Sequence, residues 1–142
     1  MNMKKHSGFT LIEVLVALLV LAVGLLGVAA LQFRGIQYSQ GALMRSMAST
    51  LASDITEKIR ANKTNAAQYV GTWTVGTSAP TGCNPVTAAS ATNDLACWRA
   101  QVFSALPPGS TADITANGAH YTLTITWTDR DGTQHPIVYP FL

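Results

Sequence analysis

Few side chains in this sequence are equipped for chemistry, and their spacing separates them into small, unconnected sets. His120 and His135 sit in strand-like stretches, away from any Gly-rich nucleophile elbow or metal-ligand spacing. They can face each other across a hairpin as surface strand residues, and a metal would need further ligands. Asp129-Arg130-Asp131-Gly132 has the opening of a calcium loop but lacks the closing glutamate, so it reads as a tight turn. No catalytic constellation, cofactor or metal is assigned. Two cysteines, Cys83 and Cys97, have the chemistry to form one bridge. The remaining candidate is Glu13, a carboxylate at the head of a long apolar run. A charge there costs about 2.5–3.5 kcal/mol at mid-bilayer and less near the interface, which makes it a functional candidate by default.

The element that must position Glu13 is a membrane-length helix. From residue 14 to 33 there are about twenty residues without a charge, enough at 1.5 Å each to cross roughly 30 Å of hydrocarbon. Lys4, Lys5 and His6 precede the run and Arg34 follows it. Positive charge favours the cytoplasmic side, so the N-terminus is expected inside and everything after Arg34 outside. A secretory signal cut after Val28-Ala29-Ala30 is a poor alternative, because signal cores span only about 7–15 apolar residues. A plain uncleaved anchor leaves Glu13 unexplained.

The stretch Lys4-Lys5-His6-Ser7-Gly8-Phe9-Thr10-Leu11-Ile12-Glu13 resembles the type IV prepilin signal, in which a basic leader ends in Gly and an aromatic residue opens the mature chain four positions before Glu. The resemblance implies that a prepilin peptidase cleaves between Gly8 and Phe9 and methylates the new Phe9 amine. It also implies that an assembly platform draws the helix from the membrane into a filament. Glu13 then compensates the Phe9 amine of a neighbouring subunit, since a buried charge needs a partner. Over residues 8–32 the sequence looks closest to PilV-type minor pilins. Major pilins commonly carry a proline in this helix, whereas here the first is Pro80; Gly24 and Gly27 can instead let neighbouring helices approach closely.

Beyond the apolar run, Met44, Met47, Leu51, Ile55 and Ile59 form one helical stripe, the face that a globular domain should cover. A continuous helix from Phe9 to about Asn62 would be roughly 80 Å long. A strand is expected over 69–75, then a polar loop over 76–92. A short helix capped by Asn93 or Asp94 runs through Leu106, with Leu95, Trp98, Val102 and Leu106 on its apolar face. Tyr121, Leu123, Ile125 and Trp127 alternate with threonines in the clearest strand, 120–128. The last strand, 133–139, carries Pro136 and reads as an edge. Because Cys83 and Cys97 lie in the outward-facing part, where oxidation is favoured, they are expected to pair.

These readings give an α+β pilin fold, one long N-terminal helix packed on a small antiparallel sheet. Its segments are a leader (1–8), a membrane and filament-core helix (9–33), an amphipathic continuation (34–63) and a head domain (64–142). Without Lys4 and Lys5 the mature chain carries seven basic and seven acidic side chains, which argues against nucleic acid as a partner. The resemblance implies a non-enzymatic minor pilin, held in the inner membrane and then in the extracellular pilus. Its implied partners are prepilin peptidase, the assembly platform, the major pilin, other minor pilins and a tip adhesin. Priming of assembly near the tip, twitching motility and adhesion follow as expectations. The rival is a minor pseudopilin of a type II secretion system, which shares the leader, Glu13 and the fold class.

Overall fold

A computed structural model of the chain describes residues 8–86, 90–129 and 132–141. The basic leader residues Lys4, Lys5 and His6 lie outside the described residues, as do Arg130 and Asp131 of the acidic turn. The chain forms two compact units, residues 1–40 and 41–142. One α-helix, α1, runs Leu11–Ala61 through both. It contains no proline, the residue that most often breaks such a run.

In the first unit every described residue is exposed. In the second, α1 buries one face: Leu51, Ile55 and Ile59 join the core, with Met44 half-buried against it. Ala48 and Ala52 are equally buried, and their small side chains widen the stripe without adding bulk. Thr56 is also buried, and its hydroxyl donates to the Ala52 carbonyl at 2.6 Å, so no polar atom is orphaned there. After α1 a 3-10 helix, Lys63–Tyr69, turns Tyr69 into the core.

The sheet is a four-stranded antiparallel meander in the order β1 (Gly71–Thr74), β2 (Thr111–Asn117), β3 (His120–Thr128), β4 (Gln134–Phe141). The first strand begins later than the sequence suggested because the residues before it form the 3-10 helix. Strand β2 has no counterpart in the sequence reading. Only Ala112 and Ile114 point inward from it, too few for a clear alternation. Its turn was nevertheless legible: Asn117-Gly118 opens the β2–β3 connection, with Gly118 at φ 63°, the hairpin pairing that needs a left-handed residue. In β3 the inward residues Leu123, Ile125 and Trp127 are all buried. Strand β4 lies at the sheet edge and ends on buried Phe141, which stacks on Tyr121 at 5.8 Å.

Between β1 and β2 lies a second helix, α2 (Ala91–Ala105), which presents Trp98 and Val102 to the core. Its N-cap is Ser90, whose side chain accepts from the Asn93 N–H at 3.3 Å, rather than Asn93 or Asp94. Asn93 is occupied elsewhere. Its amide accepts from the Asn84 N–H and donates to the Asn84 carbonyl, both at 2.9 Å, clamping the preceding loop to the helix. Trp98 closes the core by donating its indole N–H to the Leu51 carbonyl of α1 at 2.9 Å.

Candidate functional site

Gly8, Phe9 and Thr10 precede the helix without regular secondary structure, and the chain enters α1 at Leu11. Thr10 caps the helix. Its carbonyl accepts from the N–H groups of Glu13 (3.1 Å) and Val14 (3.3 Å), and its hydroxyl oxygen accepts from the Glu13 N–H at 3.4 Å. Thr10-Leu11-Ile12-Glu13 therefore spells the Thr-x-x-Glu capping signature, a local role for this segment that the sequence reading did not consider. Glu13 also lies in the first turn, where a carboxylate complements the positive end of the helix dipole. Its side chain is exposed and free to meet another molecule.

Behind Glu13 lies an unbroken apolar surface. Leu11, Leu26 and Leu31 are 87%, 72% and 73% exposed, and α1 is the one described helix long and apolar enough to cross a membrane. Contiguous apolar surface of this extent on a protein marks contact with other proteins or lipid. The two glycines in it are not required by the chain's own packing, since a Cβ placed at Gly24 or Gly27 meets nothing within 4 Å.

Residues 3–29 match a family model described as the prokaryotic N-terminal methylation motif, and residues 30–101 match one described as Type IV pilin Tt1218. The chain belongs to the type IV pilin family. No match was found among curated proteins or among solved structures. As a pilin it has the long N-terminal helix on a four-stranded antiparallel sheet that its α+β class calls for. Its methylation motif implies processing by a prepilin peptidase and assembly with other pilins. Motif and apolar helix together fit a pilin that is first anchored in a membrane and later part of a pilus. The family is structural rather than enzymatic.

The pilin's other candidate groups serve its architecture. Cys83 and Cys97 are joined by a disulfide, tying the loop before α2 to its second turn. The two histidines are not opposed: His120 pairs with Asn117, whereas His135 lies opposite Trp127. His135 instead bridges α1 and the end of β3. Its Nδ1 faces the Arg45 guanidinium at 3.4 Å, and its Nε2 lies 3.1 Å from the Asp129 carboxylate. A guanidinium only donates, so Nδ1 is the acceptor in the first contact, while Nε2 faces the carboxylate. Asp129 is thereby engaged, Asp131 lies outside the described residues, and no group of three metal-ligating side chains occurs among those described.

Sequence reasoning also passed over Tyr69. Its phenol donates to Asp94 at 2.6 Å and accepts from the Asn62 amide at 3.2 Å, joining the end of α1 to the start of α2. Burial pushes the phenol up to about 12, and the hydrogen bond to Asp94 adds to this, while the Asn62 bond works in the opposite direction.

Proposed function

We propose that this chain is a minor type IV pilin of the PilV kind, a structural subunit that primes pilus assembly and sits near the tip, supporting twitching motility and adhesion. Prepilin peptidase removes residues 1–8 by cutting between Gly8 and Phe9 and methylates the Phe9 amine. Before assembly the mature protein crosses the inner membrane once through residues 9–33, with its N-terminus cytoplasmic and residues 34–142 periplasmic. The assembly platform then moves that helix into a stack with the major pilin and other minor pilins, a tip adhesin being the outermost partner. In the stack the Glu13 carboxylate compensates a neighbour's Phe9 amine. Such a pair acts as a register device more than as a large net stabiliser, because desolvation offsets much of the Coulomb attraction.

One observation carries this reading. From residue 11 to 36 the helix is exposed throughout and has only two ionisable side chains, Glu13 at its head and Arg34 near its end. The capping place of Glu13 is filled as well by an uncharged glutamine, whereas a full charge at the head of a membrane-length segment calls for a partner, which a neighbour's Phe9 amine supplies. The minor assignment is supported by the absence of proline before Pro80 and by the two glycines that the subunit's own packing does not need.

The test is co-expression with a prepilin peptidase, followed by intact-mass analysis and fractionation of sheared filaments. The expected product lacks residues 1–8 and carries one methyl group on Phe9, and Gly8→Ala should block its formation. Unchanged processing of Gly8→Ala would overturn the leader assignment. Deletion of the chain should reduce piliation; a defect in protein secretion with normal piliation would instead indicate a minor pseudopilin.

A further inference from the structure

Beside strand β1 and against helix α2 there is a cleft of about 180 Å³, walled by Trp73, Val75, Pro80, Trp98 and Phe103, with Arg99 at its side. Drug-sized ligands occupy roughly 300–1,000 Å³, so this space suits a single ring. Its aromatic wall is fixed before anything binds. The Trp73 and Trp98 rings meet in a T-shaped pair, with centroids 6.2 Å apart and planes at 80°. Trp98 is itself held by its bond to the Leu51 carbonyl. On the other side, Trp73 lies over Gly71, where a Cβ would come within 3.0 Å of indole Cζ2. A side chain at 71 would thus crowd the half-exposed indole and make it shift.

Arg99 supplies the second element. It is exposed, and its side chain makes no ion pair or hydrogen bond among the described residues, while the nearby Asp94 is taken by Tyr69. A free guanidinium presents a planar fork that matches a carboxylate. The polar part of the wall comes from Thr74 and Ser78.

We propose that this cleft binds one acidic sugar ring, a uronate at the end or branch of a glycan. The apolar C–H face of the pyranose lies on Trp73, whose ring face is electron-rich. Its carboxylate meets Arg99, and its hydroxyls reach Ser78 and Thr74. A nucleotide fits less well, because base, ribose and phosphate exceed a one-ring space. An apolar side chain of a partner protein would leave the guanidinium unused. The cleft lies wholly within residues 41–142, so the inference stands independently of leader processing and filament assembly.

The experiment is saturation-transfer NMR on the full-length protein in detergent micelles, titrated with glucuronate, glucose and uridine monophosphate. Glucuronate should bind about tenfold more tightly than glucose, the size expected when one charge-assisted hydrogen-bonded contact is added. Arg99→Gln changes an exposed residue, so it should leave folding intact and erase that preference. Trp73→Ala should abolish saturation transfer from both sugars, with the retained circular dichroism spectrum and intact disulfide serving as folding controls. Equal affinity for glucuronate and glucose, or an unchanged preference in Arg99→Gln, would overturn the proposal. Tighter binding of uridine monophosphate than of glucuronate would overturn the choice of occupant.

Discussion

The hydroxyl oxygen of Thr10 accepts a hydrogen bond from the backbone N–H of Glu13, closing the first turn of α1 directly behind Phe9. Two tasks therefore meet within one helical turn. Thr10 satisfies a backbone donor that the helix leaves open, and the Glu13 carboxylate remains available to compensate a charge. Substitutions can separate the two. Thr10→Ala removes a cap of about 1 kcal/mol and should fray the first turn while leaving incorporation measurable. Glu13→Gln keeps hydrogen-bonding capacity at this position of the capping signature but loses the charge. It should therefore fail in assembly, as should Glu13→Ala, with processing and membrane level preserved in both. Quantifying processed protein in the membrane and in sheared filaments, in a strain without the native copy, decides the matter. Normal incorporation of Glu13→Gln would remove the charge-compensation role. A graded loss of piliation would point to tip placement, and a complete loss to a position inside the stack.

Reduction of Cys83–Cys97 should lower the stability of the folded head by around 3 kcal/mol, the chain-entropy value for a loop closed by cysteines 14 residues apart. Denaturant unfolding with and without reductant measures the difference. The Asn84–Asn93 clamp spans much of the same loop and survives reduction, so the loop should remain partly ordered and the loss should fall at or below that value. Identical midpoints under the two conditions would show that the bridge adds nothing beyond the clamp.

The long helix and strand β3 were readable from the sequence because their buried faces are built from large side chains at regular spacing: Leu51, Ile55 and Ile59 at four-residue steps, and Leu123, Ile125 and Trp127 at two. Ala48 and Ala52 escaped notice for the opposite reason. They matter through the volume they lack, and small residues leave no hydrophobic signal. Strand β2 buries only Ala112 and Ile114 and was missed, although its Asn117-Gly118 turn carried the information. At the N-terminus the motif residues were legible as chemistry, but the capping role of Thr10 was not drawn from them. The aromatic cleft was inaccessible to periodicity arguments, since Trp73 and Arg99 come together only when α2 folds back beside β1.

Tyr69 links stability to pH. Its folded pKa, pushed up to about 12 from 10.0, means that the folded state holds the phenolic proton more tightly than the unfolded chain. The associated stability is complete below pH 10 and is lost as pH rises toward 12. Tyr69→Phe lacks the proton and the bonds to Asp94 and Asn62, so it should be less stable than the wild type by roughly 1–3 kcal/mol at neutral pH. That gap should narrow through pH 10–12. Chemical denaturation of both proteins across this range tests it, and a gap that stays constant with pH would rule out the linkage.

Two buried tryptophans provide a matched comparison of hydrogen bonding in the core. Trp98 and Trp127 are 0% and 1% exposed, but the Trp98 indole N–H donates to the Leu51 carbonyl at 2.9 Å, whereas the Trp127 N–H has no partner among the described residues. Replacing either with Phe removes similar volume and leaves similar space unfilled. Only Trp98→Phe also removes a bond, which in a protein interior is worth about 1 kcal/mol. In Trp127→Phe the lost donor was costing desolvation without return, so part of the cavity penalty is offset. Trp98→Phe should therefore be the more destabilising by about 1–2 kcal/mol, as read from denaturant midpoints at equal slopes. Equal losses in the two variants would mean that the Trp98–Leu51 bond contributes nothing net, and that α2 is held to α1 by packing alone.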